Sequence, residues 1–166
     1  LLVSAFGRLH IGYGLDIVRV WIRKILLIII VLLVVAQFVP VRHDNPPFEA
    51  AKTIFAVEKM PANVGAALHR SCMDCHSNET HWPWYSHVAP VSWMVASDVH
   101  EARRKMNFSQ WADYPAKKRD HELEELCDEV SGGDMPDTKY TLIHRNARLT
   151  QQEHEAICTW TNSPPS

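Results

Sequence analysis

Cys72-Met73-Asp74-Cys75-His76 is the stretch whose residue types and spacing can do chemistry. Two thiols stand one helical turn apart and an imidazole follows at once. C-x-x-C-H is the spacing of covalent haem c attachment: each sulfur adds to one vinyl group, and His76 is placed under the iron. A redox dithiol would want a βαβ context, and zinc would want a second close pair of Cys or His ligands. Cys127 and Cys158 are single and far apart. The motif therefore predicts one covalent haem held by Cys72 and Cys75, with His76 on the metal.

Met135-Pro136, just after Gly132-Gly133, is the expected source of the second axial ligand. A thioether on a proline-stiffened loop suits that role, and Met ligation raises the reduction potential, although methionine also fills gaps in cores. His81, His87, His100 and His144 stay open as alternatives. Met73 lies between the cysteines and cannot reach the other face, while Met94 and Met106 read as helical packing. Trp82, Trp84 and Tyr85, with Trp93 and Trp111, are read mainly as packing, with one indole N–H or the Tyr85 hydroxyl bonding a haem propionate. Cys127 and Cys158 permit either a disulfide or two free thiols. Arg103-Arg104-Lys105, Lys117-Lys118-Arg119 and the acids from Glu122 to Glu129 read as solvated helical faces.

The 166 residues carry a formal net charge of −2. Basic groups lead near the N-terminus (Arg8, Arg19, Arg23 and Lys24 against Asp16), so the remainder is acidic, which argues against a nucleic-acid partner. From Ile25 to Val41 no charge appears. With Ile17 to Ile22 ahead of it, this run predicts a single transmembrane helix in a lipid bilayer, its N-terminus cytoplasmic by the positive-inside rule. A cleaved signal peptide has the same charge order, but Ala36 is followed by Gln, Phe, Val and Pro rather than a small-x-small site. The organisation read is a cytoplasmic segment 1–16, an anchor 17–40, a Pro-rich linker 41–47 and a periplasmic haem domain 48–166. Within that domain helices are expected over Phe48–Lys59, Ala62–Ser71, Ser92–Met106 and Ala116–Val130, with a last one opened by the capping box Thr150-x-x-Glu153. No strand pattern appears, so the fold class is all-α: a small helical domain after one transmembrane helix.

Cys72–Ser77, Thr80-His81-Trp82-Pro83-Trp84-Tyr85, Ala89-Pro90-Val91-Ser92-Trp93, Asn107-Phe108-Ser109-Gln110-Trp111 and Gly133-Asp134-Met135-Pro136 together resemble the haem-binding domain family, a branch of the cytochrome c-like proteins. The likeness runs over nearly all of 48–162. It implies a small α-helical cytochrome c-like fold with one haem, exported and often membrane-tethered, and implies no particular reaction. Ala102 stands where a glycine is expected. The function expected is electron transfer without enzymatic activity, to a redox protein or a membrane respiratory or photosynthetic complex. A gas or redox sensor and a peroxidase-like enzyme, each with an open sixth site, are the alternatives.

Overall fold

The computed structural model describes residues 3–163, with side chains from Asp16 onward. Among them there is no strand. A long helix α1 (Val3–Ala36) precedes α2 (Ile54–Val57), α3 (Ala62–Ser71), α4 (Met73–His76), α5 (Val91–Lys105), α6 (Ala116–Gly132), α7 (Thr138–Ile143) and α8 (Gln151–Thr161). Short 3₁₀ turns lie at Ala50–Lys52, Trp84–His87, Phe108–Asp113 and Arg145–Ala147.

The expected membrane span is not borne out. α1 stops at Ala36, so its charge-free part, Ile25–Ala36, is about 18 Å long at ~1.5 Å per residue, short of a hydrocarbon core of ~30 Å. A longer helical window must include Lys24, Arg23 and Arg19. No helix among the described residues is long and apolar enough to cross a membrane. Gln37, just past the helix, pairs with the backbone of Ala89 in both directions: its Nε2 donates to the Ala89 carbonyl (3.2 Å) and its Oε1 accepts from the Ala89 N–H (3.0 Å).

The core explains why the remaining helices assemble. Ile54, Val64, Leu68, Phe108, Trp111, Leu126, Val130 and Ile157 are each buried, one or two from every element of the α2–α3–α6–α8 layer and from the turn at Phe108. Leu126 and Val130 come from the apolar stripe read in α6, while Leu123 packs at its edge. That helix ends where Gly133 takes the left-handed conformation (φ 80°), which glycine adopts without a Cβ penalty. Cys127 and Cys158 form a disulfide that clips α6 to α8, with Cα atoms 4.8 Å apart, which settles the open alternative.

Two expectations on the elements change. The helix expected over Phe48–Lys59 is divided, because Thr53 is extended (φ −73°, ψ 156°) between the first 3₁₀ turn and α2. α7 was not expected at all; Asp137 caps it by accepting from the Lys139 N–H at 2.6 Å.

The capping box is present as read: Thr150 Oγ1 accepts from the Glu153 N–H (3.3 Å), and Glu153 Oε2 accepts from the Thr150 N–H (2.8 Å). Glu153 also pairs with Arg70 on α3 at 2.9 Å. The Thr150 N–H, and after it Arg70, hold the Glu153 carboxyl below its ordinary range. Its contribution is therefore complete above the usual value of 4.5 and disappears as pH falls through the lowered folded value. Thr150→Ala is expected to cost about 1 kcal/mol in urea unfolding at pH 7. Glu153→Gln should flatten the acid limb of stability against pH; an unchanged limb would mean that the box carries no pH-linked stability.

Candidate haem site

α3 runs into the C-x-x-C-H stretch with one break. Cys72 (φ −123°, ψ −28°) caps α3 through its N–H to the Leu68 carbonyl (2.9 Å) and starts α4, where the His76 N–H reaches the Cys72 carbonyl at 2.9 Å. One turn of helix thus sets both thiols and the imidazole. Cys72 and Cys75 are unbridged, unlike the other two cysteines. Burial pushes both thiols up to about 12, and near Cys75 the carboxylates of Asp74, Asp98 and Asp137 push the same way against Arg103.

His76 is buried, with its ring stacked on Phe108 at 5.8 Å between centroids. Its Nδ1 lies 3.0 Å from the Met106 carbonyl, an acceptor only, so Nδ1 carries the proton and Nε2 keeps a lone pair. Nε2 has no hydrogen-bond partner among the described residues. Burial lowers the pKa of the imidazole, against the Met106 bond, which raises it. Metal-binding histidines need this arrangement: neutral, with the second nitrogen anchored.

Cys75 lies within electrostatic reach of three segments. Asp98 on α5, Tyr85 in the Trp84–His87 turn and Tyr140 on α7 all interact electrostatically with its sulfur. Those segments also carry the apolar surface of the domain. Beyond residue 40, and apart from Phe48, the exposed large apolar side chains among the described residues are Trp84, Val88, Val91, Trp93, Met94, Leu142 and Ile143, all within or beside them. Two thiols, a neutral imidazole and this apolar surface fit a flat, largely apolar macrocycle with a metal at its centre.

The model of the haem-binding domain family matches residues 31–163. The chain belongs to that family. Haem binding follows from membership, and the geometry around His76 is the part of this haem-binding domain that could supply it. No curated protein and no solved structure matches the chain.

The other expected site residues are placed unevenly. Met135 is half-buried against the core cluster that includes Cys72 and Met73. Tyr85 and the alternative ligand His144 bond each other, Oη to Nε2, at 2.5 Å. His100 Nε2 is 3.2 Å from Asp44, and the His87 ring lies 4.4 Å from that of His43. His81 is exposed. Packing describes Trp111, which is fully buried, but not Trp84, which is 78% exposed. Trp82 rests edge-on against His43, and its buried Nε1 has no partner among the described residues. Met94, read as packing, is half exposed.

Sequence reasoning missed Arg103 and Asp74. Arg103, taken as part of a solvated face, donates to the carbonyls of Ser77 (2.6 Å) and Asp44 (2.7 Å), to Asn45 Oδ1 (2.8 Å) and to Thr80 Oγ1 (2.7 Å). It is the clamp between α5, the linker and the chain leaving His76. Asp74 collects the Tyr140 hydroxyl (2.7 Å), the His81 N–H (3.0 Å) and, on its carbonyl, the Thr80 hydroxyl (2.7 Å). Neither role has a local sequence signal: the partners of Arg103 and the Tyr140 partner of Asp74 are distant in the chain, and the nearer bonds of Asp74 to Thr80 and His81 follow no repeating pattern.

Arg103→Ala should lower stability by about 2–3 kcal/mol in denaturant unfolding, because charged hydrogen bonds are lost and acceptors are left bare. Arg103→Lys should recover less than half, since an ammonium cannot span a fork of acceptors. Full recovery by lysine would show that charge alone matters there.

Proposed function

We propose that this haem-binding domain is a monohaem c-type cytochrome that carries electrons and has no enzymatic activity of its own. The observation that carries the reading is the His76 imidazole, anchored through Nδ1 and open at Nε2, directly beside two unbridged thiols. Cys72 and Cys75 would hold the ring through thioether bonds, and His76 and Met135 would ligate its iron. Bound there, haem would supply a one-electron iron couple. The chain's part is to fix the ring, keep the imidazole neutral and offer apolar side chains beside it.

Met135 is favoured because the rival histidines are engaged or exposed: His144 with Tyr85, His100 with Asp44, His87 against His43, and His81 in solvent. Two protein ligands would leave no position for a substrate, which favours a shuttle over a sensor or a peroxidase-like enzyme. The Cys127–Cys158 bridge supports an oxidising compartment such as the periplasm. Acidic groups near Cys75 (Asp74, Asp98 and Asp137) suit a redox partner with a basic docking face.

The test is optical. Haem is expected to stay with the wild-type chain through denaturing electrophoresis and to be lost from a Cys72→Ala, Cys75→Ala double variant. The oxidised protein should show a methionine–iron charge-transfer band, and the reduced protein should ignore carbon monoxide. Met135→Ala should lose the band, bind the gas and shift to a lower potential. Ready binding of carbon monoxide by the wild type would turn the reading to a sensor or peroxidase.

A further inference from the structure

The loop that carries Met135 is pinned unequally at its two ends. On the α6 side it is well held: the N–H groups of Asp134 and Met135 both reach the Glu129 carbonyl, at 3.0 and 3.1 Å, beyond the Gly133 cap. On the other side lies α7, a helix of six residues whose buried residue is Thr141 and whose Leu142 and Ile143 stand out in solvent. So short a helix with so little apolar anchorage does not seat itself by packing. A polar contact holds it to the attachment helix. The Tyr140 hydroxyl donates to Asp74 Oδ2 at 2.7 Å, and Asp74 sits between Cys72 and Cys75.

That contact is itself supported on both sides. The Tyr140 ring stacks on His144 at 4.4 Å between centroids and 18° between planes, and His144 bonds Tyr85. The Asp74 carboxylate is oriented by the His81 N–H, and its backbone carbonyl accepts from Thr80, which Arg103 also holds. Tyr140 thus ends a chain of contacts that starts on α5 and passes through the attachment motif. Among the described residues, it makes the side-chain hydrogen bond that joins α7 to α4.

We propose that Tyr140 is a positioning residue: by bonding Asp74 it fixes the loop of Met135 relative to the helix of His76, and so sets the strength of the methionine–iron bond. The inference rests on Met135 as the second ligand. Tyr140→Phe keeps the ring and its stack on His144 and removes only the hydroxyl. Asp74→Asn keeps one acceptor oxygen for the His81 N–H and turns its amide NH2 to the Tyr140 hydroxyl, which accepts in place of donating, so the contact is kept without the charge. Lys139→Ala, exposed on the same helix, is the control.

The experiment is carried out on the holoprotein, reading the charge-transfer band, carbon monoxide binding and the reduction potential. Deuterium exchange at residues 133–144 is measured beside them. Tyr140→Phe is expected to weaken the band, to admit carbon monoxide where the wild type does not, to lower the potential, and to raise exchange in that segment at least tenfold. Asp74→Asn should lie close to wild type, and Lys139→Ala should match it. If Met135→Ala abolishes the band while Tyr140→Phe leaves band, gas binding and exchange unchanged, this inference fails and the ligand assignment stands. If Met135→Ala itself leaves the band unchanged, the assignment falls and this inference with it.

Discussion

The hydrogen bond from His76 Nδ1 to the Met106 carbonyl decides which imidazole nitrogen is free, and the surrounding elements keep that carbonyl in place. Met106 is the cap of α5, where the last carbonyls have no partner within the helix. Its N–H closes the helix on Ala102, and an extended backbone (φ −140°, ψ 117°) then carries the chain away. The next residues are stitched to those after His76: Asn107 Nδ2 donates to Asn78 Oδ1 at 2.8 Å, and the Asn78 N–H donates to Ser109 Oγ at 3.0 Å. Both ends of the His76–Met106 contact are thus bound into one buried polar network. Asn78 Nδ2 is buried without a partner among the described residues, so the network has one gap; its other members keep their geometry because breaking one bond would strand a second polar group in an apolar surround.

Much of the fold was legible because it is written in local patterns. The glycine stop at Gly133, the Thr150–Glu153 box and the apolar stripe of α6 act over one or two turns, so a linear reading finds them. α7 escaped because its cap is a single Asp137 and its apolar residues face outward, which leaves no amphipathic period to detect. The membrane span was over-read for a related reason. Hydropathy runs on from Ile25 to Val41, but the helix does not, and a count of apolar residues cannot see where α1 ends.

The site divides along the same line. Cys72, Cys75 and His76 declare themselves by spacing, because one helical turn fixes their relations. Arg103 and Asp74 could not, since their partners at Asp44, Asn45, Thr80 and Tyr140 come near only when α5 packs on α4 and the linker and α7 fold back beside them. Trp84 shows the converse error. An aromatic residue counts as core until its surroundings are known, and here Trp111 fills the interior while Trp84 stands in solvent.

The paired bonds between Gln37 and Ala89 make the 84–90 segment a mechanical junction. α1 is a rod of about 50 Å at ~1.5 Å per residue, so a sideways load on its far end is multiplied where it joins the domain. That leverage falls on Gln37 and, a few residues on, on the contact of 2.6 Å between His43 and the Ser86 carbonyl. Cys72, Cys75 and His76 hang instead from α3, the Met106 carbonyl and the buried asparagines. The two load paths meet at Arg103, which holds Asp44 and Asn45 of the linker on one side and Ser77, next to His76, on the other, so torque that passes Gln37 and His43 is delivered to a single guanidinium beside the imidazole.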